Sequence, residues 1–150
     1  MTFELRQAGP SDADHIAIAH VQSIRTLGPL FYPSGVVDDW SEGLTADLYR
    51  KAMAGGEIFF IALADQTVVG FASDYPREGT EHGTSVYVRG DMARQGIGTA
   101  LLKRAETEAI ARGRPSRACS CARFSTRATG GRDGHFCFVK MNRCCHGRSS

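Results

Sequence analysis

The sequence predicts an α/β fold, and three observations carry that reading. Apolar residues recur at helical spacing in three stretches, within residues 11–27, 36–54 and 97–110. Short β-rich runs fall between them, two joined so tightly that they read as an antiparallel hairpin. The third observation is a junction at residues 86–102, where a β-rich run passes through two glycines straight into a helical pattern. At 150 residues the chain has the length of one domain and can bury a sizeable core.

Residues 3–7 read as a short opening strand. A helix start follows at Pro10-Ser11-Asp12, with Ser11 as N-cap and Asp14 in the first turn, where a carboxylate favours the exposed amides. Ile16, His20, Ile24 and Leu27 continue at helical spacing, with Val21 beside them. Residues 36–54 predict a second helical region carrying Trp40, Leu44, Leu48 and Ala52, closed by Gly55-Gly56. Residues 57–63 and 67–72 are the hairpin strands around Ala64-Asp65-Gln66, and residues 76–79 a loop. Residues 84–89 are a third β-rich run, ended by Gly90-Asp91. In the last helix Ile97, Leu101, Leu102, Ala105, Ala109 and Ile110 line one face, and Gly113 and Pro115 supply the stop.

Composition narrows the function classes. The chain is 42% hydrophobic and 23% charged, ordinary for a soluble protein. No apolar run nears the roughly 18 residues that span a bilayer, and the first residues do not resemble a secretory signal, so the expectation is a cytoplasmic protein with no membrane partner. Residues 1–113 carry 10 Lys+Arg against 15 Asp+Glu, whereas residues 114–150 carry 8 against 1. The basic tail has few aromatics and no recognisable binding module, so nucleic acid is not expected as a partner. All 5 cysteines (Cys119, Cys121, Cys137, Cys144 and Cys145) lie in that tail. An odd number without a secretory signal argues against a disulfide framework.

The chemistry sits at the glycine junction. A strand delivers the chain to a turn whose Gly96 and Gly98 lack a Cβ, so a ligand can approach the backbone closely. The helix opening there presents unpaired N–H groups and the positive end of its dipole, a receptor for phosphate oxygens. Arg94 adds a positive charge and Thr99 a hydroxyl. A plain βα turn with tight packing accounts for the same pattern. A Walker loop does not, because no Gly-Lys-Ser/Thr follows. The dinucleotide fingerprint fits poorly, since a third glycine is missing and the preceding strands arrive as a hairpin.

Arg94-Gln95-Gly96-Ile97-Gly98, followed by Thr99-Ala100-Leu101-Leu102, resembles the pyrophosphate motif of GNAT (Gcn5-related) N-acetyltransferases, Gln/Arg-x-x-Gly-x-Gly/Ala. The order of elements over residues 1–113 is similar to that family as well. Two positions depart from it: Ala93 stands at the usual Gln/Arg, and Gly90 where most members have proline. The resemblance implies a GNAT-like acyl-CoA N-acyltransferase fold, a mixed, mostly antiparallel sheet flanked by helices. It implies acetyl-CoA as co-substrate, its pyrophosphate on the backbone of Arg94, Gln95, Gly96, Ile97, Gly98 and Thr99. The pantetheine arm would pair with the main chain of Val86, Tyr87 and Val88, and the Val88 amide would polarise the thioester carbonyl.

Several members of the family place a general base near the start of the strand before the glycine turn. An ungapped count lands on His82, beside Glu81. Histidine suits the role, with an ordinary pKa of about 6.5. Plain loop residues are the competing reading of both. Tyr87 alternates with Val86 and Val88 and is expected to pack on the other sheet face. Tyr32, Trp40 and Tyr49 are expected to fill core beside the acceptor cleft, His20 to be partly buried, and His15 solvated.

Residues 114–150 form an atypical Arg/Cys/Ser-rich tail, expected to be poorly ordered; helix and strand periods fail over 114–134, and residues 136–141 are the one later stretch that could pair in a sheet. Relatives continue here with further strands and a tyrosine that protonates the leaving thiolate; the corresponding stretch reads His135-Phe136-Cys137-Phe138-Val139, so the C-terminal strands are expected to be missing or degraded. A shifted reading frame over residues 114–136 produces such a pattern. A zinc site is the rival reading, but Cys-x-Cys and Cys-Cys-His lack paired Cys-x-x-Cys spacing, and no metal is expected. The expectation is thus an N-acetyltransferase acting on a small-molecule or peptide amine. The alternatives are a non-catalytic acyl-CoA-binding remnant and a zinc-stabilised basic interaction module. An exposed strand edge would favour homodimer pairing.

Overall fold

The computed structural model describes residues 2–30, 32–76 and 82–112. Four strands, β1 (Glu4–Gln7), β2 (Ile58–Ala64), β3 (Thr67–Pro76) and β4 (His82–Val88), form one antiparallel sheet in the order β1-β2-β3-β4. Helices α1 (Ala13–Leu27), α2 (Ser34–Ser41) and α3 (Ala46–Ala54) lie between β1 and β2, and α4 (Ile97–Ala111) follows β4. Among the described residues no helix is long and apolar enough to cross a membrane. The expectations for residues 114–150, including the strand at 136–141 and the cysteine set, lie outside the described residues.

Each face of the sheet buries its own apolar cluster. On one face α4 sets Ile97, Leu101, Leu102 and Ala105 against Ile58, Phe60, Ala62, Ala72 and Val86. On the other, Ala13, Ile16 and Ala17 of α1 and Tyr49 of α3 meet Phe59, Ile61, Phe71 and Tyr87. Strand alternation does the sorting: consecutive residues such as Phe59 and Phe60 go to opposite faces. The β2–β3 turn puts Asp65 and Gln66 at φ 48° and 64°, the primed geometry that matches strand twist. A bulge at Ala62/Leu63 in the β2–β3 register then makes room for Val69 on the α4 side.

Four local expectations are corrected. The region 36–54 is two helices, because α2 ends on an extended Glu42, Gly43 turns left-handed at φ 77°, and Thr45 is extended before α3. Within α3 the buried residue is Tyr49, while Leu48 is exposed. Ile110 is also exposed. It lies one residue past the buried Ala109, about 100° further around the helix and off the stripe.

Ser11 is not the helix cap. Residues Pro10–Asp12 form a 3-10 turn, and Asp12 holds the corner instead. Its carboxylate accepts from the Gly9 amide at 2.9 Å and from both terminal nitrogens of Arg6 at 2.9 and 2.7 Å. The Arg6 hydrogen bonds hold the Asp12 carboxyl below the usual carboxylate range, outweighing burial, which acts the other way. A lowered folded pKa means stabilisation that is present above the unfolded value of about 3.9 and is lost as pH falls through the folded pKa. Asp12→Ala should cost about 1–2 kcal/mol at neutral pH, since Arg6 is half-exposed. Urea unfolding at pH 7 and at pH 3 checks this: the difference between variant and parent should shrink at the lower pH.

Candidate functional site

The junction after β4 is an exposed turn that opens α4. Arg89 is followed by a 3-10 turn, Gly90–Met92, and the chain then enters Ala93 to Gly96. Arg94 and Gly96 take positive φ, 62° and 83°. Gly96 is the N-cap of α4, and no side chain caps it. The first helical bond runs from the Ala100 amide to the Gly96 carbonyl at 3.0 Å. The amides of Ile97, Gly98 and Thr99 precede that bond and have no acceptor within the helix.

Nothing of the protein plugs this turn among the described residues. Arg94, Gln95 and Gly96 are exposed, and a Cβ built on Gly96 meets no atom within 4 Å. The two glycines differ in kind. Gly96 is required by its left-handed backbone, whereas a Cβ on Gly98 would make an ordinary contact, 3.6 Å from Val88 Cγ2. Gly98 therefore sets the first turn of α4 against the end of β4. The side chain of Ile97 is buried in the α4 cluster, so Ile97 can offer a ligand only its main chain.

The strand beside the turn is oriented by its pairing. Val86, Tyr87 and Val88 pair with Ala72, Phe71 and Gly70 of β3. The Arg89 amide donates to Val69 O at 2.8 Å, so strand alternation turns the Val88 amide to the side away from β3. Tyr87 faces α1 and is buried; its ring stacks on Phe71 at 5.2 Å and lies 3.9 Å from the His20 ring. Tyr87 is thus packing, as its alternation predicts, and only its backbone faces the strand direction.

His20 and Tyr49 form a polar pair inside the α1–α3 cluster, with Nδ1 and the phenol oxygen 2.7 Å apart. Burial, with Glu57 adding its charge, pushes the Tyr49 phenol well above its ordinary pKa. Burial likewise raises Glu57, opposed by a hydrogen bond with Ser73 and reinforced by Asp74. The sequence places His20 on the buried stripe but gives no sign of its partner, because the contact joins positions 29 residues apart. Tyr32 and Trp40 pack edge to face at 4.7 Å beside Ile24 and Val37. His15 is exposed. Glu81 lies outside the described residues, and of His82 only the backbone is described, paired with Pro76.

The site is thus a strand leading into an uncapped, left-handed glycine turn and an amphipathic helix, on a sheet covered on both faces. The acetyltransferase (GNAT) family model matches residues 22–130, well over half of the chain. This chain belongs to the GNAT acetyltransferase family. The match runs past Gly113 and takes in part of the tail.

Solved structures agree on the fold. The PaiA N-acetyltransferase of Thermoplasma acidophilum, solved with coenzyme A, is 19% identical over 76% of either chain, with a TM-score of 0.67. A GCN5-related N-acetyltransferase from Rhodopseudomonas palustris is 29% identical over 75% of this chain and 69% of its own, with a TM-score of 0.61. A Brucella melitensis GNAT acetyltransferase, solved with acetyl-CoA, is 21% identical over 75% of this chain and 71% of its own, with a TM-score of 0.56. No curated protein matches the sequence significantly.

The two glycines of the GNAT turn should respond oppositely to alanine. Gly96→Ala forces an L-residue into the left-handed region and should cost about 1–2 kcal/mol. Gly98→Ala fits the space and should stabilise α4 by up to about 1 kcal/mol. Paired thermal unfolding curves read both signs; two shifts in the same direction would contradict this account of the turn.

Proposed function

We propose that this protein is an N-acetyltransferase that moves an acetyl group from acetyl-CoA to a primary amine by direct attack. The observation that carries the reading is the opening of α4, where three amides without a helical acceptor adjoin an exposed left-handed Gly96. Convergent N–H groups at the positive end of a helix dipole suit a diphosphate. In this reading the main chain from Arg94 to Thr99 holds the pyrophosphate, with the Arg94 side chain near its charge. The departures at Ala93 and Gly90 leave those amides intact.

Val86 to Val88 would carry the pantetheine arm. The Val88 amide, turned away from β3, would donate to the thioester oxygen as it gains negative charge. The neutral amine attacks the carbonyl carbon, the C–N bond forms, and the C–S bond breaks to release CoA as its thiolate. One proton must leave the amine and one must reach the sulfur. His82, at the start of β4, is the base proposed for the first transfer, with Glu81 the second candidate. The acceptor is a small-molecule or peptide amine, and neither a metal nor a nucleic acid is needed by this chemistry. Location in the cytoplasm is consistent with acetyl-CoA supply.

Calorimetric titration with CoA tests the cofactor site. The parent chain should bind, and Gly96→Asp, which sets a carboxylate where the diphosphate would lie, should weaken binding by at least about tenfold. Thiol release from acetyl-CoA with a mixed panel of amines tests turnover; binding without release would favour the non-catalytic remnant. Once an acceptor is found, His82→Ala should lower kcat roughly a hundredfold with little change in CoA affinity. A pH–rate profile that keeps its alkaline-rising limb in His82→Ala would move the base elsewhere.

A further inference from the structure

The turn that leads to Gly96 is held from behind by α1. The Gly90 amide donates to Gln22 Oε1 at 3.0 Å, and Gln22 Nε2 donates to Asp91 Oδ1 at 3.3 Å. Asp91 is fixed in turn by Arg89, whose Nε and a terminal nitrogen donate to its two carboxylate oxygens at 3.1 and 2.9 Å. One helical turn on from Gln22, Thr26 lies flush against Gly90: a Cβ there would overlap the Thr26 hydroxyl and sit 2.7 Å from Thr26 Cβ. Thr26 cannot swing away without loss, because its hydroxyl donates to the Gln22 carbonyl at 2.7 Å. Gln22 therefore reads both the N–H of Gly90 and the carboxylate of Asp91, while Thr26 sets how closely the chain passes.

We propose that Gln22 is a positioning residue for the acetyl-CoA turn, acting through Gly90 and Asp91 rather than on the ligand. This rests on the cofactor reading above. The chain reaches Gly96 six residues after Gly90, so the anchor point of that segment fixes where the amides of Ile97, Gly98 and Thr99 converge. A glycine at the anchor has no torsional stiffness of its own. A side chain that accepts from its N–H and donates to the next carboxylate supplies the missing rigidity from a different element. The glycine and the glutamine then form one device: a proline at 90 would have no N–H for Gln22 and would collide with Thr26.

The test uses the full chain with Gln22→Ala, Asp91→Ala and the double variant, read by CoA calorimetry, by acetyl-CoA kinetics and by hydrogen exchange at the Gly90 amide. Each single variant should weaken CoA binding by roughly three- to tenfold, the worth of one or two hydrogen bonds. Asp91→Ala leaves the Gly90-to-Gln22 bond in place and also releases Arg89, so the two losses share only the Gln22–Asp91 contact and the double variant should lose less than their sum. KM for acetyl-CoA should rise while kcat holds, and the Gly90 amide should exchange faster in Gln22→Ala. Unchanged CoA affinity in Gln22→Ala, with the parent binding normally, overturns the proposal. Fully additive losses overturn it too. A parent chain that binds no CoA overturns the cofactor reading itself, and the role of Gln22 falls with it.

Discussion

A Cβ on Gly70 would sit 2.9 Å from the Tyr87 carbonyl oxygen and 3.2 Å from Leu101 Cδ1, so a side chain at this point of β3 would crowd both the β4 backbone and the α4 residue seated over it. That close approach is the constraint from which the site follows. Leu101 seats over Gly70, Gly98 brings the preceding turn within reach of Val88, and the helix is pinned to β3 and β4 together. With its body fixed by apolar burial, the opening of α4 needs no capping side chain to hold it in place. Its first amides are left pointing outward beside the end of β4. Burial of one face of the helix, from Ile97 to Ala109, is what makes an unsatisfied, ligand-ready terminus tolerable at its start.

Much of this was legible in the sequence because two periods are strong. The strand alternation at residues 57–63 and 84–89 sorts Phe59 from Phe60 and Tyr87 from Val86, and the structure keeps that sorting. The stripe of Ile16, His20 and Ile24 is buried as its spacing implies. The glycine turn could be recognised because a left-handed N-cap favours glycine, and that preference leaves a mark in sequence. Period alone failed where the chain bends: a helical pattern runs across Gly43 even though the backbone breaks there, and apolar Leu48 and Ile110 fall outside their stripes.

Contacts between distant positions left no such mark. Gln22 reads as one more polar residue on a helix, and Asp91 as turn punctuation; only the fold brings them within 3.3 Å. Tyr49 and His20 are equally silent as a pair. Asp12 is readable as part of a helix start, yet its role depends on Arg6 from the preceding strand, so the local pattern points to Ser11 as the cap instead. Sequence patterns report the demands that an element makes on itself. They do not report the demands one element makes on another.

That distinction gives α1 a larger part than its sequence suggests. Through His20 it packs on Tyr87, in the middle of the β4 segment proposed to carry the pantetheine arm. Two residues on, through Gln22, it grips the turn proposed to lead the diphosphate to α4. One helix thus contacts both β4 and the turn after it, and so braces the spacing between the two segments proposed to hold the cofactor. A long, thin ligand with its reactive thioester at one end and its charges at the other needs that spacing held. A helix laid across the back of the strand and the turn can hold it without occupying any of the ligand's space.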